Sequence, residues 1–331
     1  MSRAYTSLLQ SIVSVLTLCI GFSAELQAVA MEWPESITYP ADITVHIIRE
    51  APTTEGSLYH SNHFELISDH PLSRKALCDV LRVLEASYAS LLALPLGFEY
   101  LPSKQRRVVK LVDSQQHYID SGGILGSGGV YLSESREAVV RFETLGAKRS
   151  KEGRITSIQN LGLIAHEVTH QIQHDWLDVL PIWLIEGMAV YLESVPFQQG
   201  TLLFKNMHFR SEKHIRRCSE NQYWITDIQK LMTLDRDEWN QHFQNHPSAH
   251  NQHYVSAFLL TYYFLHMSGD EPGSHLRTYI QAMKVADHPE AQQSALTQLM
   301  SGRTYQMLEN DLITAYAQAG LQIQALIDAS F

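Results

Sequence analysis

The sequence predicts an α+β protein with a mixed α/β front part and a helical C-terminal half. Short β-rich segments alternate with one long amphipathic segment up to about residue 155, and apolar residues at helical spacing dominate after it. The chain has 331 residues, 45% of them hydrophobic, which is enough for a single large core. We therefore expect residues 31–155 and 156–331 to be two parts of one folded unit.

The first thirty residues have the composition of an export signal. Arg3 supplies a positive charge, "LLQSIVSVLTLCIGFSA" an apolar stretch, and Ala28 and Ala30 the small residues of a cleavage site. We expect cleavage after Ala30, with Ala24 as the second choice, and hence a periplasmic or secreted protein. An uncleaved membrane anchor is the alternative. No later segment has 18 uninterrupted apolar residues, so we expect no membrane span after leader removal.

The charge of the chain indicates which kinds of binding partner to expect, and its cysteine content indicates whether a disulfide could form. The formal net charge is −10, from 25 basic and 35 acidic residues, which argues against a nucleic-acid surface. Beyond the leader the chain has two cysteines, Cys78 and Cys218. In an oxidising compartment they could form a disulfide, and two separate buried thiols are an equally good interpretation.

In the front part, a helix is predicted over 73–95, where apolar residues at helical spacing follow a capping serine. The glycine-rich segment "SGGILGSGGVYL" leads into a strand that is expected to pair as a hairpin with "EAVVRFE". The other predicted strands are 43–48, 63–68 and 106–113.

In the back part, a helix is predicted from a cap at Thr156 or Ser157 to about Trp176. Pro181 is expected in the first turn of the next helix, a position that proline favours. The remaining predicted elements are a short strand pair at 197–206 and five or six helices from about residue 207 to the end.

The segment "GLIAHEVTHQIQHDW" contains the residues that indicate chemistry. His166 and His170 are four residues apart, so on a helix their side chains share a face and can converge on one metal ion. Glu167 is next to the two histidines on the helix surface but does not share their direction. This position suits a general base rather than a metal ligand. A catalytic zinc ion usually has three protein ligands, so this motif alone is incomplete. Alternatively, the three residues hydrogen-bond on an ordinary polar helix face.

Glu186, in "LPIWLIEGMAVYLE", is the candidate third ligand. A turn at 177–181 would return the chain as a second helix and bring Glu186 to the face where the histidines point. The alternative is a surface carboxylate, but apolar neighbours such as Trp183 and Met188 argue against exposure. Because buried polar groups need partners, coordination of a metal would satisfy all three side chains.

The pattern H-E-x-x-H followed by W-x-x-E-G-x-A-x-Y resembles the gluzincin zinc metallopeptidases, in their peptidase MA-like branch. The segments "AHEVTHQIQ", "PIWLIEGMAVYLE" and "HYVSAFLLTYYFL" occur in the family's order, over about residues 155–270. The resemblance implies a thermolysin-like architecture and one zinc ion bound by His166, His170 and Glu186. It also implies that Glu167 is the general base.

Further roles come from the same resemblance. It implies that Tyr254 lies over the oxyanion of the reaction; alternatively, Tyr254 only hydrogen-bonds the loop before it. Thermolysin-like enzymes have an acidic residue four positions after the glutamate ligand, whereas this chain has Val190. Glu193 is either the carboxylate that orients a histidine instead or a helix-surface charge. The edge strand along which a peptide lies is implied at Gly128, Gly129 and Val130.

These features predict an exported zinc-dependent hydrolase that acts on peptide or protein substrates. An endopeptidase is favoured over an aminopeptidase, because the sequence lacks the "GxMEN" segment that binds the substrate amino terminus in aminopeptidases. The alternatives are a zinc-bound, non-catalytic binding or assembly protein of the envelope and a hydrolase of another amide, such as a cell-wall linkage. Retention of Glu167 favours an enzyme, because a purely structural site needs no general base.

Overall fold

The computed structural model describes residues 32–39, 44–50, 56–98, 105–208, 212–213, 224–245, 250–269 and 271–325. Contacts divide the chain into Met1–Glu32 and Trp33–Phe331, and all of the elements below belong to the second unit. The expected signal segment and its cleavage sites lie outside the described residues. Within the described ranges, no helix combines the length and the apolar character needed to cross a membrane.

The unit is α+β, as the sequence predicts. Its described strands are β1 Ile37–Thr38, β2 His46–Arg49, β3 Ser57–His60, β4 Phe64–Ser68, β5 Arg107–Val112, β6 Gly129–Leu132, β7 Glu137–Arg141, β8 Lys148–Arg149, β9 Ile155–Ser157, β10 Phe197–Gln198, β11 Thr201–Leu202, β12 Trp224–Ile225 and β13 Gln324–Ala325. Its described α-helices are α1 Arg74–Ala93, α2 Gln115–Asp120, α3 Leu161–Ile172, α4 Ile182–Ser194, α5 Ile228–Thr233, α6 Arg236–Asn245, α7 His250–His266, α8 Ser274–Val285, α9 Pro289–Met300 and α10 Tyr305–Gln318.

The front part is built on a six-stranded sheet with the strand order β2-β3-β4-β5-β7-β6. Strands β4, β5 and β7 are parallel, whereas the pairs β2-β3, β3-β4 and β6-β7 are antiparallel. The hairpin predicted from the glycine-rich segment is therefore confirmed. Among the described strands, β6 is the last of the sheet and pairs on one side only.

Most of the predicted elements are present. The strands expected at 63–68 and 106–113 are β4 and β5, and the strand expected at 43–48 is β2, displaced to His46–Arg49. Helix α1 begins after Ser73, whose side chain accepts a hydrogen bond from the backbone N–H of Ala76. The strand pair at 197–206 is β10 and β11, and α5 to α10 are the helices expected after residue 207.

The predicted start of the motif helix is wrong. Residues Ile155–Ser157, which include both proposed caps, form β9, and α3 begins only at Leu161. Long-range pairing explains the difference: Ile155 N–H donates to Pro71 O at 2.9 Å, and Ser73 N–H donates to Ile155 O at 2.8 Å. These backbone bonds to a distant segment outweigh a local capping signal, which contributes only about 1 kcal/mol.

Two further boundaries differ from the predictions. Helix α3 ends at Ile172, and a separate 3₁₀ turn covers His174–Trp176, so the helix does not continue to Trp176. Pro181 is the N-cap of α4, one position before the expected first turn. The backbone of Pro181 is extended, with ψ of 150°, so Pro181 lies between the preceding turn and the first helical residue, Ile182.

Helix α4 is the centre of the core, with residues 182–192 buried all round. It packs between α3 and α7. A Cβ on Gly187 would lie 2.5 Å from the carbonyl oxygen of Ala257 and 2.1 Å from Oγ1 of Thr261, both on α7. Glycine at this position therefore allows the close approach of the two helices that brings Glu186 towards Tyr254.

Of the two cysteines that could form a disulfide, the structure describes one. Cys78, on α1, is a partly exposed free thiol. Cys218 lies outside the described residues.

Candidate metal centre

Helices α3 and α4 bring three buried side chains together. His166, His170 and Glu186 are each less than a tenth exposed. The Nε2 atoms of the two histidines are 3.2 Å apart, and Oε2 of Glu186 lies 3.6 Å from His166 Nε2 and 3.4 Å from His170 Nε2. This group could hold a metal ion, and the described residues contain no other such cluster.

The donor atoms fit a small tetrahedral ion. Nitrogen and oxygen ligands about 2.0–2.2 Å from such an ion lie roughly 3.3–3.6 Å from one another, close to the separations of 3.2–3.6 Å in this cluster. In addition, Oε2 of Glu186 is buried without a hydrogen-bond partner. A buried carboxylate oxygen without a partner is costly, and coordination would remove this cost.

The charges of the cluster support each other despite its burial. Burial alone would lower the pKa of His166, but the nearby carboxylates of Glu186 and Glu193 outweigh it and raise that pKa well above its usual value. Burial alone would raise the pKa of Glu186, but the positive charges of His170 and His166, 3.4 and 3.6 Å away, hold it well below its usual value. The carboxylate of Glu186 is therefore ionised, the form that binds metal.

Glu193 lies behind one histidine. Its Oε2 is 3.2 Å from Nδ1 of His166, the ring nitrogen that points away from the cluster. Glu193 is near the end of α4, and α3 begins close to it, since a Cβ on Gly162 would lie 2.6 Å from the carbonyl oxygen of Glu193. A carboxylate in this position fixes the orientation and tautomer of an imidazole ligand.

Glu167 points from α3 towards the edge of the sheet. It is 5% exposed, and burial raises its pKa, opposed by the charges of His166 and His170. A Cβ on Gly129 would lie 2.5 Å from Oε1 of Glu167, so only glycine leaves room for this carboxylate beside β6. A raised pKa suits a group that must both accept and release a proton.

The proposed substrate strand lies along the same cleft. Gly129 and Val130 are in β6, and Gly128 precedes it, with its carbonyl oxygen accepting hydrogen bonds from Arg141 N–H and the Thr144 hydroxyl. Gly129 and Val130 line a cleft of about 220 Å³ together with His166, His170 and Glu186. The cleft therefore has the group that could hold a metal ion on one side and a strand edge on another.

Tyr254 closes the cleft from α7. Its ring centroid is 6.1 Å from that of His166 and 5.3 Å from that of Trp239, which meets it edge-on. Burial and the charge of Glu186 raise the pKa of Tyr254 well above its usual value, so its hydroxyl keeps its proton. Helix α7 begins at His250, so Tyr254 lies in the second turn of the helix.

Sequence reasoning missed one wall of the cleft. Arg236, Trp239 and Asn240 line it from α6. A local signal marks this helix, because Asp235 and Glu238 exchange hydrogen bonds with each other's backbone N–H in a capping box. Nothing in the local pattern relates α6 to the motif helix, about 60 residues earlier.

Comparison of the chain with family models, with curated proteins and with solved structures finds no match. The resemblance to gluzincins therefore rests on the sequence motifs alone.

Proposed function

We propose that this chain is an exported zinc-dependent peptidase of gluzincin type, with a thermolysin-like arrangement of strand edge and motif helix. The observation that carries the proposal is the convergence of His166, His170 and Glu186 beside the buried carboxylate of Glu167. A structural metal site would need the first three residues only. The fourth, placed between the metal-binding group and a strand edge, supports a hydrolytic role.

His166, His170 and Glu186 would hold the zinc ion, and Glu193 would orient His166 through its Nδ1. When bound, zinc would polarise the carbonyl of the scissile bond and lower the pKa of water towards neutrality. Two histidines and one carboxylate are a ligand set that is typical of catalytic zinc, and they leave one coordination position open.

Glu167 would accept the proton of the attacking water and pass it to the leaving amine nitrogen as the carbon–nitrogen bond breaks. Its burial favours the first of these steps, because a raised pKa makes proton uptake by the carboxylate easier. Gly129 keeps the space that the carboxylate occupies.

Tyr254 would donate a hydrogen bond to the carbonyl oxygen as that oxygen gains negative charge. Trp239 is a side-chain hydrogen-bonding partner of Tyr254. Because the indole N–H can only donate, the tyrosine oxygen accepts from it and the tyrosine proton remains available for the substrate. Trp239 is thus a positioning residue for Tyr254.

The edge of β6 would bind the substrate as an additional strand. Its unpaired backbone groups can form ladder hydrogen bonds with an extended peptide, which gives affinity without regard to sequence. We propose an endopeptidase, because the chain lacks the segment that recognises a free amino terminus in aminopeptidases.

The test combines metal analysis with hydrolysis of a peptide library by the mature chain and by Glu167→Gln. The wild type should hold about one zinc ion, and Glu167→Gln should retain it while turnover falls by roughly 10²–10⁴-fold. Tyr254→Phe should keep both zinc and stability and lower kcat by roughly 10–10³-fold, with little change in KM. Hydrolysis that survives Glu167→Gln would contradict the mechanism, whereas a zinc-loaded protein without hydrolytic activity would favour a binding protein.

A further inference from the structure

One face of α6 forms the wall of the cleft opposite β6. Arg236, Trp239 and Asn240 have the i, i+3, i+4 spacing that places side chains on the same side of a helix, and all three line the cleft. Trp239 is buried and contacts Tyr254, whereas Arg236 and Asn240 are exposed to the cleft solvent. The two exposed side chains are therefore accessible to a bound substrate.

Arg236 is the single lysine or arginine among the described residues that line the cleft. One of its nitrogens, Nη2, donates to the carbonyl oxygen of Leu177 at 2.8 Å, and no ion pair involves it within the described parts of the chain. The guanidinium has five N–H donors in a fixed fork, and a carboxylate fits this fork through two parallel hydrogen bonds. The bond to Leu177 holds the fork in place and leaves the other donors available.

The position of this cation along the cleft follows from the contacts between β6 and α3. Gly129 faces Glu167, and further along β6 the Tyr131 hydroxyl is 2.8 Å from His174 Nδ1, beyond the end of α3. Leu177, which anchors Arg236, follows His174 in the same turn region. Arg236 is therefore at the Tyr131 end of the cleft, and two strand residues separate this end from Glu167 by about 7 Å.

We propose that Arg236, with Asn240 one turn later, forms a subsite for a carboxylate of the peptide substrate. The inference rests on the proposed peptidase function and specifies its substrate class: peptides with a carboxylate about two residues from the scissile bond. That carboxylate is either the side chain of an aspartate or glutamate or the free C-terminus. In a chain of net charge −10, a fixed cation in the cleft would select such peptides from those without a carboxylate there.

The experiment measures binding, so that it does not depend on turnover. Fluorescent peptides are titrated into the zinc-loaded Glu167→Gln protein and into the same protein with Arg236→Gln added. One series places glutamate or glutamine at each position, and a second compares a free with an amidated C-terminus. We expect one carboxylate position to improve binding by roughly 10–100-fold, the range for a charge-assisted hydrogen bond, and Arg236→Gln to remove that preference.

Two further variants sharpen the result. Arg236→Lys keeps the charge without the fork and should retain only part of the preference, whereas Arg277→Gln, outside the cleft, should retain all of it. Equal binding of carboxylate and neutral peptides, or a preference that Arg236→Gln leaves unchanged, would overturn the subsite. So would an absence of binding by all of the peptides. Failure of the peptidase function itself would appear separately, as a lack of hydrolysis by the wild type.

Discussion

A buried histidine and a half-buried one in this molecule have pKa values shifted in opposite directions. His166 lies among carboxylates, and its pKa is raised well above the usual value, although burial acts in the other direction. His266 lies among aromatic rings, where burial and the charge of His208 lower its pKa from 6.5 to about 4. Burial alone therefore does not determine what a histidine does. The groups that face it decide the direction in which its pKa shifts.

The surroundings of the two histidines also differ in whether they could take up a ligand. Around His166, the donor atoms of His170 and Glu186 lie close enough that the three side chains could hold a metal ion. Around His266, Nε2 is 3.0 Å from the Tyr191 hydroxyl, and the rings of Trp33 and Tyr262 lie 5.1 and 4.6 Å away. That environment is complete without any ligand. We expect metal-dependent behaviour from the first histidine and pH-dependent packing from the second.

The largest effect should come from removing a ligand. His170→Ala leaves His166 and Glu186 as two donors, too few for tight binding, so zinc content should fall from about one ion per chain to nearly none. The stabilisation that zinc gives to the wild type should also disappear, because binding energy at such a site is linked to folding. Metal analysis and thermal unfolding, each with and without added zinc, measure both changes.

The matched control for that variant is His174→Ala. His174 is four residues further along and contacts Tyr131, outside the three-residue group. It should keep its zinc. Full zinc occupancy in His170→Ala, or zinc loss in both variants, would remove the basis for the ligand assignment.

A smaller effect on zinc binding is expected from Glu193, which contacts a proposed ligand and not the metal itself. Glu193→Ala removes the carboxylate at His166 Nδ1 and leaves all three donors in place. Zinc affinity, measured by competition with a chelator, should fall by roughly 10–100-fold, the usual effect of losing an outer carboxylate. The zinc affinity of Glu193→Gln should lie between those of the wild type and Glu193→Ala, because its amide oxygen can still accept the hydrogen bond. Glu290→Ala, at an exposed position, should bind zinc like the wild type. An unchanged affinity in Glu193→Ala would make Glu193 a helix-surface charge.

The convergence of His166, His170 and Glu186 could be predicted from sequence because its signal is local or nearly so. His166, Glu167 and His170 lie within one helical turn, and a single reversal of the chain adds Glu186. The start of α3 could not be predicted, because it depends on the pairing of Ile155 with Pro71, which is more than 80 residues away in the sequence. A sequence pattern such as a capping residue reflects interactions among neighbouring residues only. Pairing with a distant segment can outweigh these interactions.

The α6 wall of the cleft shows the same limit. Its capping box makes the helix predictable, but its place beside the metal-binding group depends on two contacts between distant segments. Arg236 reaches Leu177, and Trp239 meets Tyr254. Neither contact has a sequence signal, so Arg236 had no functional interpretation until the fold placed it in the cleft.

The last effect concerns the second histidine and is a pH dependence of stability. The pKa of His266 is about 4 in the fold and about 6.5 in the unfolded chain. Above pH 6.5 neither state is protonated and the effect is absent. As the pH falls from 6.5 to 4, the unfolded chain takes up a proton that folded His266 does not, so the free energy of unfolding decreases. The loss is at most about 3 kcal/mol, from 2.5 pKa units at about 1.36 kcal/mol each.

His266→Gln should remove this dependence and keep a group that can accept from Tyr191. Urea unfolding at several pH values compares it with the wild type and with His46→Gln, whose side chain is exposed on β2. The stability difference between the wild type and His266→Gln should change steadily between pH 6.5 and pH 4, in favour of the variant at low pH. Because His166, His170 and Glu186 are the same in both proteins, their own titration cancels in that difference. A difference that stays constant with pH would show that His266 takes up its proton as easily in the fold as in the unfolded chain, and that the aromatic environment does not keep it neutral.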